Sequence, residues 1–597
     1  MTLVTSSLKS SGAFPGGNAD VDLGPGDLST EALTGAGANA WISRCNQQVP
    51  GDSEGALRPL AGLTFAVKDN IDVADLPTTA ACPAFAFEPA ESAQVVQKLL
   101  GSGASLTGKT NLDQFACGLN GTRSPYGPVP NAFNPAYVSG GSSSGSAYVV
   151  ATGQVDFALG TDTAGSGRVP AGLNNIVGLK PSRGLISTRG VLPAAQSVDC
   201  VSIFARTVAT AVKVLASAMG HDPLDAYSRD LHLADQAFPA NFRFGVPAQL
   251  EFFGDTLAEA AFEEAQARLF ALGGTAVAID FSPFFEAAEL LYGSALVAER
   301  YAAIRPFFDA HETDVVEPVR SIIAAGRQYS AADLCDAQAR LQLLAQRAAP
   351  LWHGLDLLVV PTAPTHYTIA QMLEDPVTLN RRLGAYTNFV NLLDYAALSV
   401  PASMRADGLP FGITLIGRCG SDWQLADLGQ RFHHATGLAQ GAMGTPLTES
   451  VAIAGLRSAL PVQTVRVAVV GAHLSGMPLN SQLTERGATL VATTFTTTDY
   501  RFYALPGTTP PKPGLVRVAP GQGGRIELEI WEMPMSNYGS FVALVPAPLG
   551  IGTLQIDGGQ SVQGFLCEPQ ALHRAEDVTH LGGWRAYIAR QHAAASA

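Results

Sequence analysis

Short apolar runs alternate with amphipathic stretches of helical period from about residue 62 onward, and this alternation restricts the possible folds strongly. The runs that read as strands lie at 64–67, 104–107, 242–246, 356–360 and 411–416. The stretches that predict helices lie at 92–100 and 255–272, and a further helix is predicted from Asn111. Alternation of strands and helices is typical of α/β proteins. The sequence therefore predicts an α/β fold for this region.

The composition changes near residue 440, which indicates a second domain in a chain too long, at 597 residues, for one hydrophobic core. Residues 441–463 are rich in Gly, Ala, Ser and Pro and are predicted to be a linker. Strand-like runs follow at 465–470, 488–494, 515–518, 525–530 and 541–545. Their spacing predicts a β-rich domain at 464–597. The α/β domain is predicted at 29–440, with Ser29 as a helix cap, after a flexible segment at 1–28.

The charge balance and the cysteines limit the partners of the chain. There are 37 basic and 51 acidic residues, so the net charge of -14 makes nucleic acid an unsuitable partner. No apolar run is long enough to span a bilayer, and the N-terminus lacks the features of a signal peptide. The seven cysteines are scattered without a C-x-x-C pair, which predicts a reducing cytoplasm and no metal site. Without a P-loop or a biotinylation motif, we expect no cofactor.

Two segments rich in serine and glycine, at 140–145 and 160–168, suggest a nucleophilic serine whose base is not histidine. The first histidine of the chain is His221, whereas Lys68 ends an apolar run that could exclude water. A serine hydroxyl must lose its proton as it attacks, and a lysine can accept that proton only when burial keeps it neutral. Ser142 is suitably placed in the sequence to relay the proton between Lys68 and a nucleophile elsewhere.

The second segment also contains groups that could stabilise an oxyanion. The backbone N–H groups of Thr163, Ala164 and Gly165, directly before Ser166, are the candidate donors. Asp162 and Arg168 flank this loop and are expected to pair with each other or with the backbone. On composition alone, a flexible loop or a phosphate cradle explains the first segment equally well.

The combined pattern resembles the amidase signature family. That family has Gly-Gly-Ser-Ser-Gly, then Gly-x-Asp-x-Gly-Gly-Ser-x-Arg-x-Pro, then Gly-Leu-Lys-Pro, and this chain follows the order through residue 181 with its two serines 24 residues apart. The resemblance implies a mixed β-sheet covered by helices. It also implies that Ser166 is the nucleophile, Ser142 the bridging serine after a cis peptide bond, and Lys68 the general base. Ala164 and Ser144 replace glycines of the family pattern, and alanine still offers its backbone N–H.

Segments outside the signature, at 120–127, 291–300 and 471–480, resemble the branch of this family that hydrolyses allophanate, a small urea-like amide with a carboxylate. The resemblance implies that Tyr292 and Arg300 anchor this carboxylate and that Gly118 lines the pocket. A guanidinium can form two hydrogen bonds to a carboxylate. Eight residues of straight helix rise about 12 Å, so both side chains must bend toward one point or Gly293 must end the helix. Without the resemblance, both would read as packing or surface residues.

The activity implied is hydrolysis of allophanate through an acyl-enzyme, giving ammonia and N-carboxycarbamate, which then breaks down to ammonia and carbon dioxide. The alternatives are an amidase for another small carboxylated amide of the malonamate type, a glutaminase component of a larger assembly, and a non-catalytic scaffold. The resemblance also implies a homodimer or larger homo-oligomer.

The region from about residue 464 resembles the small β-barrel domain of the same enzymes, which is similar in fold to γ-glutamyl cyclotransferases. One hypothesis makes it a second catalyst for breakdown of N-carboxycarbamate, with His473 and Lys512 in its site. The other makes it a structural module that stabilises an oligomer. A single histidine at the end of a strand is more often structural, which favours the second hypothesis.

Overall fold

The computed structural model describes residues 38–47, 58–447, 450–457, 464–507 and 511–595. The chain divides into two compact units, Met1–Arg457 and Ser458–Ala597. The segment at 1–28, the helix cap at Ser29 and parts of the linker at 441–463 lie outside the described residues. Within the described residues, no helix is both long and apolar enough to cross a membrane.

The first unit contains an eleven-stranded sheet, which confirms the α/β prediction. Its strands are β1 (Trp41–Gln47), β2 (Thr64–Lys68), β3 (Ser105–Thr110), β4 (Phe157–Asp162), β5 (Val177–Lys180), β6 (Cys200–Ala205), β7 (Arg243–Pro247), β8 (Thr275–Ile279), β9 (Leu357–Pro361), β10 (Tyr395–Met404) and β11 (Pro410–Arg418). Their order is β1-β3-β2-β4-β6-β5-β10-β11-β9-β7-β8. The sheet is mixed, because β3, β2 and β4 run parallel, as do β9, β7 and β8, whereas the other neighbouring pairs are antiparallel.

Helices connect and cover these strands. They are α1 (Gln94–Gly101), α2 (Ser144–Ala151), α3 (Val169–Leu173), α4 (Val208–Ala218), α5 (Thr256–Ala271), α6 (Ser282–Gly293), α7 (Ala298–His311), α8 (Val319–Ala325), α9 (Ala331–Ala348), α10 (Ile369–Glu374), α11 (Thr378–Leu383), α12 (Phe389–Leu392), α13 (Asp422–Thr436) and α14 (Ile453–Arg457). Helix α5 shows how the sequence sets its limits. Asp255 accepts a hydrogen bond from the N–H of Ala258 at its start, and Gly273, with φ +96°, reverses the chain after its end.

The helix predicted from Asn111 is wrong. The chain instead forms a short 3-10 turn at Gln114–Ala116, and Phe115 and Ala116 both have positive φ. The reason lies in the polar side chains, since those of Asn and Asp can bond the backbone and compete with helix formation. Asn111 accepts from the N–H of Leu112, and the Asp113 carboxylate accepts from N–H groups of the loop at 120–123.

The second unit is β-rich, as predicted. Its strands are β12 (Thr464–Val469), β13 (Thr489–Phe495), β14 (Tyr500–Leu505), β15 (Lys512–Arg517), β16 (Glu527–Pro534), β17 (Leu549–Gln555), β18 (Ser561–Cys567) and β19 (Glu576–Asp577). Its helices are α15 (Ser481–Thr484), α16 (Met535–Val542) and α17 (Trp584–Ala595). Among the described residues these strands form two sheets, in the orders β13-β16-β12-β18-β17 and β15-β14-β19, rather than one closed barrel.

The strand predicted at 541–545 is also wrong, because helix α16 includes Phe541 and Val542. A short apolar run does not by itself distinguish a strand from a buried piece of helix. Here the tertiary contacts decide, since Phe541 is fully buried and packs edge-on against Phe565 of β18.

Candidate active site

Lys68 is the last residue of β2, and the arrangement of the sheet places it beside the end of β4. The two strands are parallel, with Val67 opposite Leu159. The Lys68 side chain is fully buried. Its Nζ lies 2.7 Å from Oγ of Ser142 and 2.7 Å from Oγ1 of Thr161. The structure therefore brings the predicted base and the predicted bridging serine into direct hydrogen-bond contact.

The surroundings of Lys68 favour its neutral form. Burial lowers the pKa of Lys68 from its ordinary value of 10.5 to about 7, whereas the charges of Asp113, Asp199 and Asp162 oppose this shift and Arg300 adds to it. An uncharged amine can accept a proton, so a large fraction of Lys68 can act as a base at neutral pH.

Ser142 follows a cis peptide bond with Gly141 and lies just before helix α2. Its carbonyl oxygen accepts a hydrogen bond of 3.0 Å from the backbone N–H of Asp113. Gly141 has no space for a larger residue, because a Cβ atom there would overlap Oδ2 of Asp113. Close packing of the backbone against this carboxylate thus requires one of the glycines of the signature.

Ser166 lies in the turn between β4 and α3 and is 3% exposed. Its Oγ is 3.4 Å from the carbonyl oxygen of Gly118, so the structure brings these two predicted site residues together. The candidate oxyanion residues, Thr163, Ala164 and Gly165, precede Ser166 in this turn. The Gly165 carbonyl accepts hydrogen bonds from the N–H groups of Arg168, which caps α3, and of Val169, its first residue.

Asp162 and Arg168 form a fully buried, two-pronged ion pair across this turn. Nε and one terminal nitrogen of Arg168 each lie 2.9 Å from a different oxygen of Asp162. The same carboxylate accepts from the N–H of Gly167 at 3.0 Å, and Arg168 also donates to the carbonyl of Thr387. This network holds both ends of the loop that carries Ser166.

Tyr292 and Arg300 meet because helix α6 ends at Gly293 and the chain continues through a 3-10 turn into α7. A terminal nitrogen of Arg300 donates to the Tyr292 hydroxyl at 3.0 Å, and the guanidinium carbon lies 5.0 Å from the centre of the tyrosine ring. Another nitrogen lies 3.5 Å from the carbonyl oxygen of Ala116. Both side chains thus approach the segment that leads to Gly118.

The charge of Arg300 lacks a carboxylate partner within the described part of the chain. Arg300 is 4% exposed, forms no ion pair there, and its Nε has no hydrogen-bond partner. Burial acts to lower the pKa of Arg300, but Tyr292, Cys117 and the carboxylates of Asp199 and Glu299, which form no ion pair with it, raise the pKa overall, so the guanidinium stays charged. Burial also raises the pKa of Tyr292, which keeps the phenol protonated. A buried cation beside a neutral phenol is suited to binding a small carboxylate.

The sequence interpretation missed three buried residues of this centre: Asp113, Thr161 and Asp199. Thr161 lies within the signature itself, two residues after the fully buried Leu159. Asp113 follows the end of β3, where polar side chains often serve a site. Asp199 binds the hydroxyl of Thr163 at 2.5 Å, and burial raises its pKa to about 6. No motif in the sequence distinguishes Asp199 from other aspartates.

The second unit has a cavity of about 140 Å³ at the predicted C-terminal site. His473 and Lys512 both line it, together with Gln482 and Phe565. Nε2 of His473 lies 2.9 Å from the side-chain oxygen of Gln482, and its ring stacks on Phe565 with the centroids 5.2 Å apart. Burial lowers the pKa of His473, which favours the neutral imidazole.

Family comparison agrees with this arrangement of residues. Residues 28–426 match the model of the Amidase family, which is more than half of the chain. The chain belongs to the amidase family. Residues 465–589 match a second model, described as the allophanate hydrolase C-terminal domain.

Individual relatives of this amidase-family chain cover one or both units. It is 44% identical over 572 residues to the urea amidolyase of Saccharomyces cerevisiae. This alignment covers 92% of this chain and 31% of that protein. The chain therefore spans about a third of the length of that relative. It is 43% identical to the urea amidolyase of Lachancea kluyveri, with the same shares of the two chains covered.

A solved structure of Kluyveromyces lactis allophanate hydrolase resembles the chain with a TM-score of 0.67 and 42% identity. The likeness covers 92% of this chain and 93% of that one. The amidase signature that the sequence resembles is thus confirmed at the level of the family, and the match extends into the second unit.

Proposed function

We propose that this amidase-family chain hydrolyses allophanate to ammonia and N-carboxycarbamate. The observation that carries the proposal is the buried guanidinium of Arg300, which has no carboxylate partner in the described residues and lies beside Tyr292. A small anionic amide would supply a carboxylate in direct contact with this guanidinium. The likeness to a protein named allophanate hydrolase, across both units, supports the choice of that amide.

In the proposed reaction, Ser166 is the nucleophile, Ser142 the proton relay and Lys68 the general base. Oγ of Ser166 attacks the terminal amide carbonyl, its proton passes to Ser142, and the proton of Ser142 passes to the neutral amine of Lys68. The 2.7 Å contact between Lys68 and Ser142 supports the second of these transfers. Burial of the amine supports its role as base.

The attack places a negative charge on the former carbonyl oxygen. We assign the N–H groups of Thr163, Ala164 and Gly165 to stabilise it. The buried pair of Asp162 and Arg168 would keep this loop in place, so that the donors need not reorganise during the reaction.

Collapse of this intermediate breaks the carbon–nitrogen bond. Lys68 returns its proton through Ser142 to the departing nitrogen, which leaves as ammonia, and an acyl-enzyme remains on Ser166. A water molecule then attacks the acyl carbon by the same relay, which regenerates Ser166 and releases N-carboxycarbamate. Breakdown of this product gives the second ammonia and carbon dioxide.

A substrate comparison tests the proposal. Ammonia release is measured with allophanate, malonamate, biuret and glutamine at matched concentrations, and we expect the highest kcat/KM for allophanate. Preference for malonamate would indicate the alternative amidase, and preference for glutamine would agree with the glutaminase alternative. Turnover of biuret but not of allophanate would overturn the substrate assignment, and activity on none of these amides would favour a scaffold.

For the C-terminal unit we propose a structural role in assembly. We also propose an amidase domain at 29–440, a linker at 441–463 and a C-terminal domain at 464–597. The division of contacts after Arg457 supports the last boundary. The cavity lined by His473 and Lys512 favours a second candidate, catalysis of the breakdown of N-carboxycarbamate. We also propose a homodimer and a cytoplasmic location, and the seven free cysteines support the location. Mass measurement of the purified chain tests the dimer.

A further inference from the structure

Asp113 is a fully buried carboxylate that touches two parts of the proposed active site. Oδ2 accepts hydrogen bonds from the N–H groups of Asn120 and Gly121 at 3.2 and 3.1 Å, and Oδ1 accepts from that of Arg123 at 3.0 Å. These three bonds fix the loop that follows Gly118. The carboxylate of Asp113 thus accepts from three backbone N–H groups of one loop.

The backbone of the same residue is bonded to the proton relay. The N–H of Asp113 donates to the carbonyl oxygen of Ser142 at 3.0 Å. A Cβ atom on Gly118 or on Gly141 would overlap Oδ2 of Asp113, so both glycines are packed directly against the carboxylate. Asp113 therefore connects Ser142 to the carbonyl of Gly118, which lies 3.4 Å from Oγ of Ser166.

The charge of Asp113 acts on Lys68 as well. The other charged groups that act on the amine are Asp162 at the end of β4, Asp199 before β6 and Arg300 on α7. Among these groups, Asp113 has the largest effect in opposing the lowering of the Lys68 pKa by burial. Because a negative charge favours the protonated amine, removal of this charge lowers the pKa of Lys68.

We propose that Asp113 is a positioning residue of the relay: its backbone N–H and its carboxylate together hold Ser142 in line with the loop at 118–123. This inference rests on the proposed roles of Ser166, Ser142 and Lys68. It assigns Asp113 no contact with the substrate.

The test is the rate at which a fluorophosphonate labels Ser166, measured against pH in wild type and in Asp113→Asn. Labelling needs a neutral Lys68, so the rate rises as pH increases through the pKa of that amine. Asp113→Asn keeps the size of the side chain and removes its charge. We expect the labelling rate at its plateau to fall about tenfold and the midpoint of its rise to move down by about one pH unit.

Asp422→Asn is the matched control. Asp422 is also buried and holds the N–H and hydroxyl of Ser182 at 2.7 and 2.6 Å, but it is not among the principal charges acting on Lys68. Its substitution should leave the midpoint unchanged. A midpoint that is equal in wild type and folded Asp113→Asn would overturn the inference, since a merely structural residue would lower the rate without moving the midpoint.

A second variant covers the case in which Asp113→Asn does not fold. Asp113→Glu keeps the charge but displaces it by one methylene, so we expect a lower plateau rate with the midpoint near that of wild type. A plateau rate equal to wild type would overturn the inference. Ammonia release from allophanate separates the two levels: if wild type releases none, the proposed function fails, and if Ser166→Ala still releases it, Ser166 is not the nucleophile. Activity that depends on Ser166, together with an Asp113→Asn midpoint equal to that of wild type, refutes only the role of Asp113.

Discussion

Two buried lysines on neighbouring parallel strands have very different surroundings. Lys68 ends β2, and its amine contacts the hydroxyls of Ser142 and Thr161. Lys109 lies on the adjacent β3 and forms a fully buried ion pair with Asp69 at 2.9 Å. Burial lowers the pKa of both amines, but the Asp69 carboxylate opposes the shift in Lys109. The two amines therefore differ in their direct partners: a carboxylate bonded to Lys109 favours its charged form, whereas two neutral hydroxyls contact Lys68.

The largest effect should separate the two lysines. Lys68→Met removes the proposed base, so we expect kcat for ammonia release to fall about 10⁴-fold while the protein stays folded. Lys109→Met leaves the buried charge of Asp69 without its partner, so we expect a loss of about 3–5 kcal/mol of unfolding free energy. Steady-state kinetics and urea unfolding of both variants measure the two effects. If Lys68→Met retained a tenth of the wild-type kcat, the base would have to be a different group.

A third buried cation extends this comparison to the substrate. Arg300, like Lys68, forms no ion pair with a carboxylate in the described residues, and we propose that it binds the carboxylate of the substrate. Arg300→Lys keeps the charge but loses the paired donors, so kcat/KM for allophanate should fall about 100-fold. Tyr292→Phe removes the single bond of 3.0 Å and should cost about tenfold. Equal losses with an uncharged amide would show that these residues support the fold rather than the carboxylate.

The pH dependence of kcat/KM should distinguish the two lysines. Changes around Lys68 should move the midpoint of this dependence by about one pH unit or less, whereas a change at Lys109 should not move it. Since Lys68 must be neutral to act and its pKa is about 7, kcat/KM should fall as pH decreases below about 7 and level off above it. Lys109→Met should leave the midpoint of this change in place, provided that measurements are made where the variant is folded. A midpoint that moved with Lys109 and not with groups around Lys68 would reverse the assignment.

The smallest effect is expected in the second unit. His473 packs against Phe565 and bonds Gln482, so the structural proposal predicts that His473→Ala changes the first ammonia release less than about twofold. Both ammonia release and the amount of N-carboxycarbamate are followed in the full chain. Accumulation of N-carboxycarbamate would instead support catalysis at the cavity, and Gln482→Ala, which alters the same cavity wall, is the control for its shape.

The sequence was informative wherever a pattern has one physical meaning. The strand ending at Lys68 and the helix between Asp255 and Gly273 were predicted nearly to their limits, because apolar period, cap and glycine agree there. The prediction failed at Asn111 and at Phe541. In the first case, polar side chains bond the loop backbone, and in the second, a short apolar run fits either a strand or a helix.

The candidate site divides in the same way. The order and spacing of its serines, together with the lysine, can be read from the sequence. Asp162 and Arg168 were expected to pair with each other or with the backbone, and the structure shows that they do both. Asp113 and Asp199 were not predicted as members of the site, since an aspartate in a loop has many possible roles. Their importance depends on which backbone donors and which lysine the folded chain places around them.

The sequence by itself determined which reactive residues this protein has and how its domains are arranged along the chain. These are a signature with two serines and a lysine, an arginine suited to a carboxylate, and a β-rich second domain. Tertiary structure alone decided the surroundings of Lys68, and with them the lowered pKa of its amine. Parallel pairing of β2 with β4 brings Lys68 to Thr161, and the packing around α2 brings it to Ser142 rather than to a carboxylate. The physical reason is that the pKa of an amine depends on water and charge within a few ångströms, and residues far apart in the chain supply that environment.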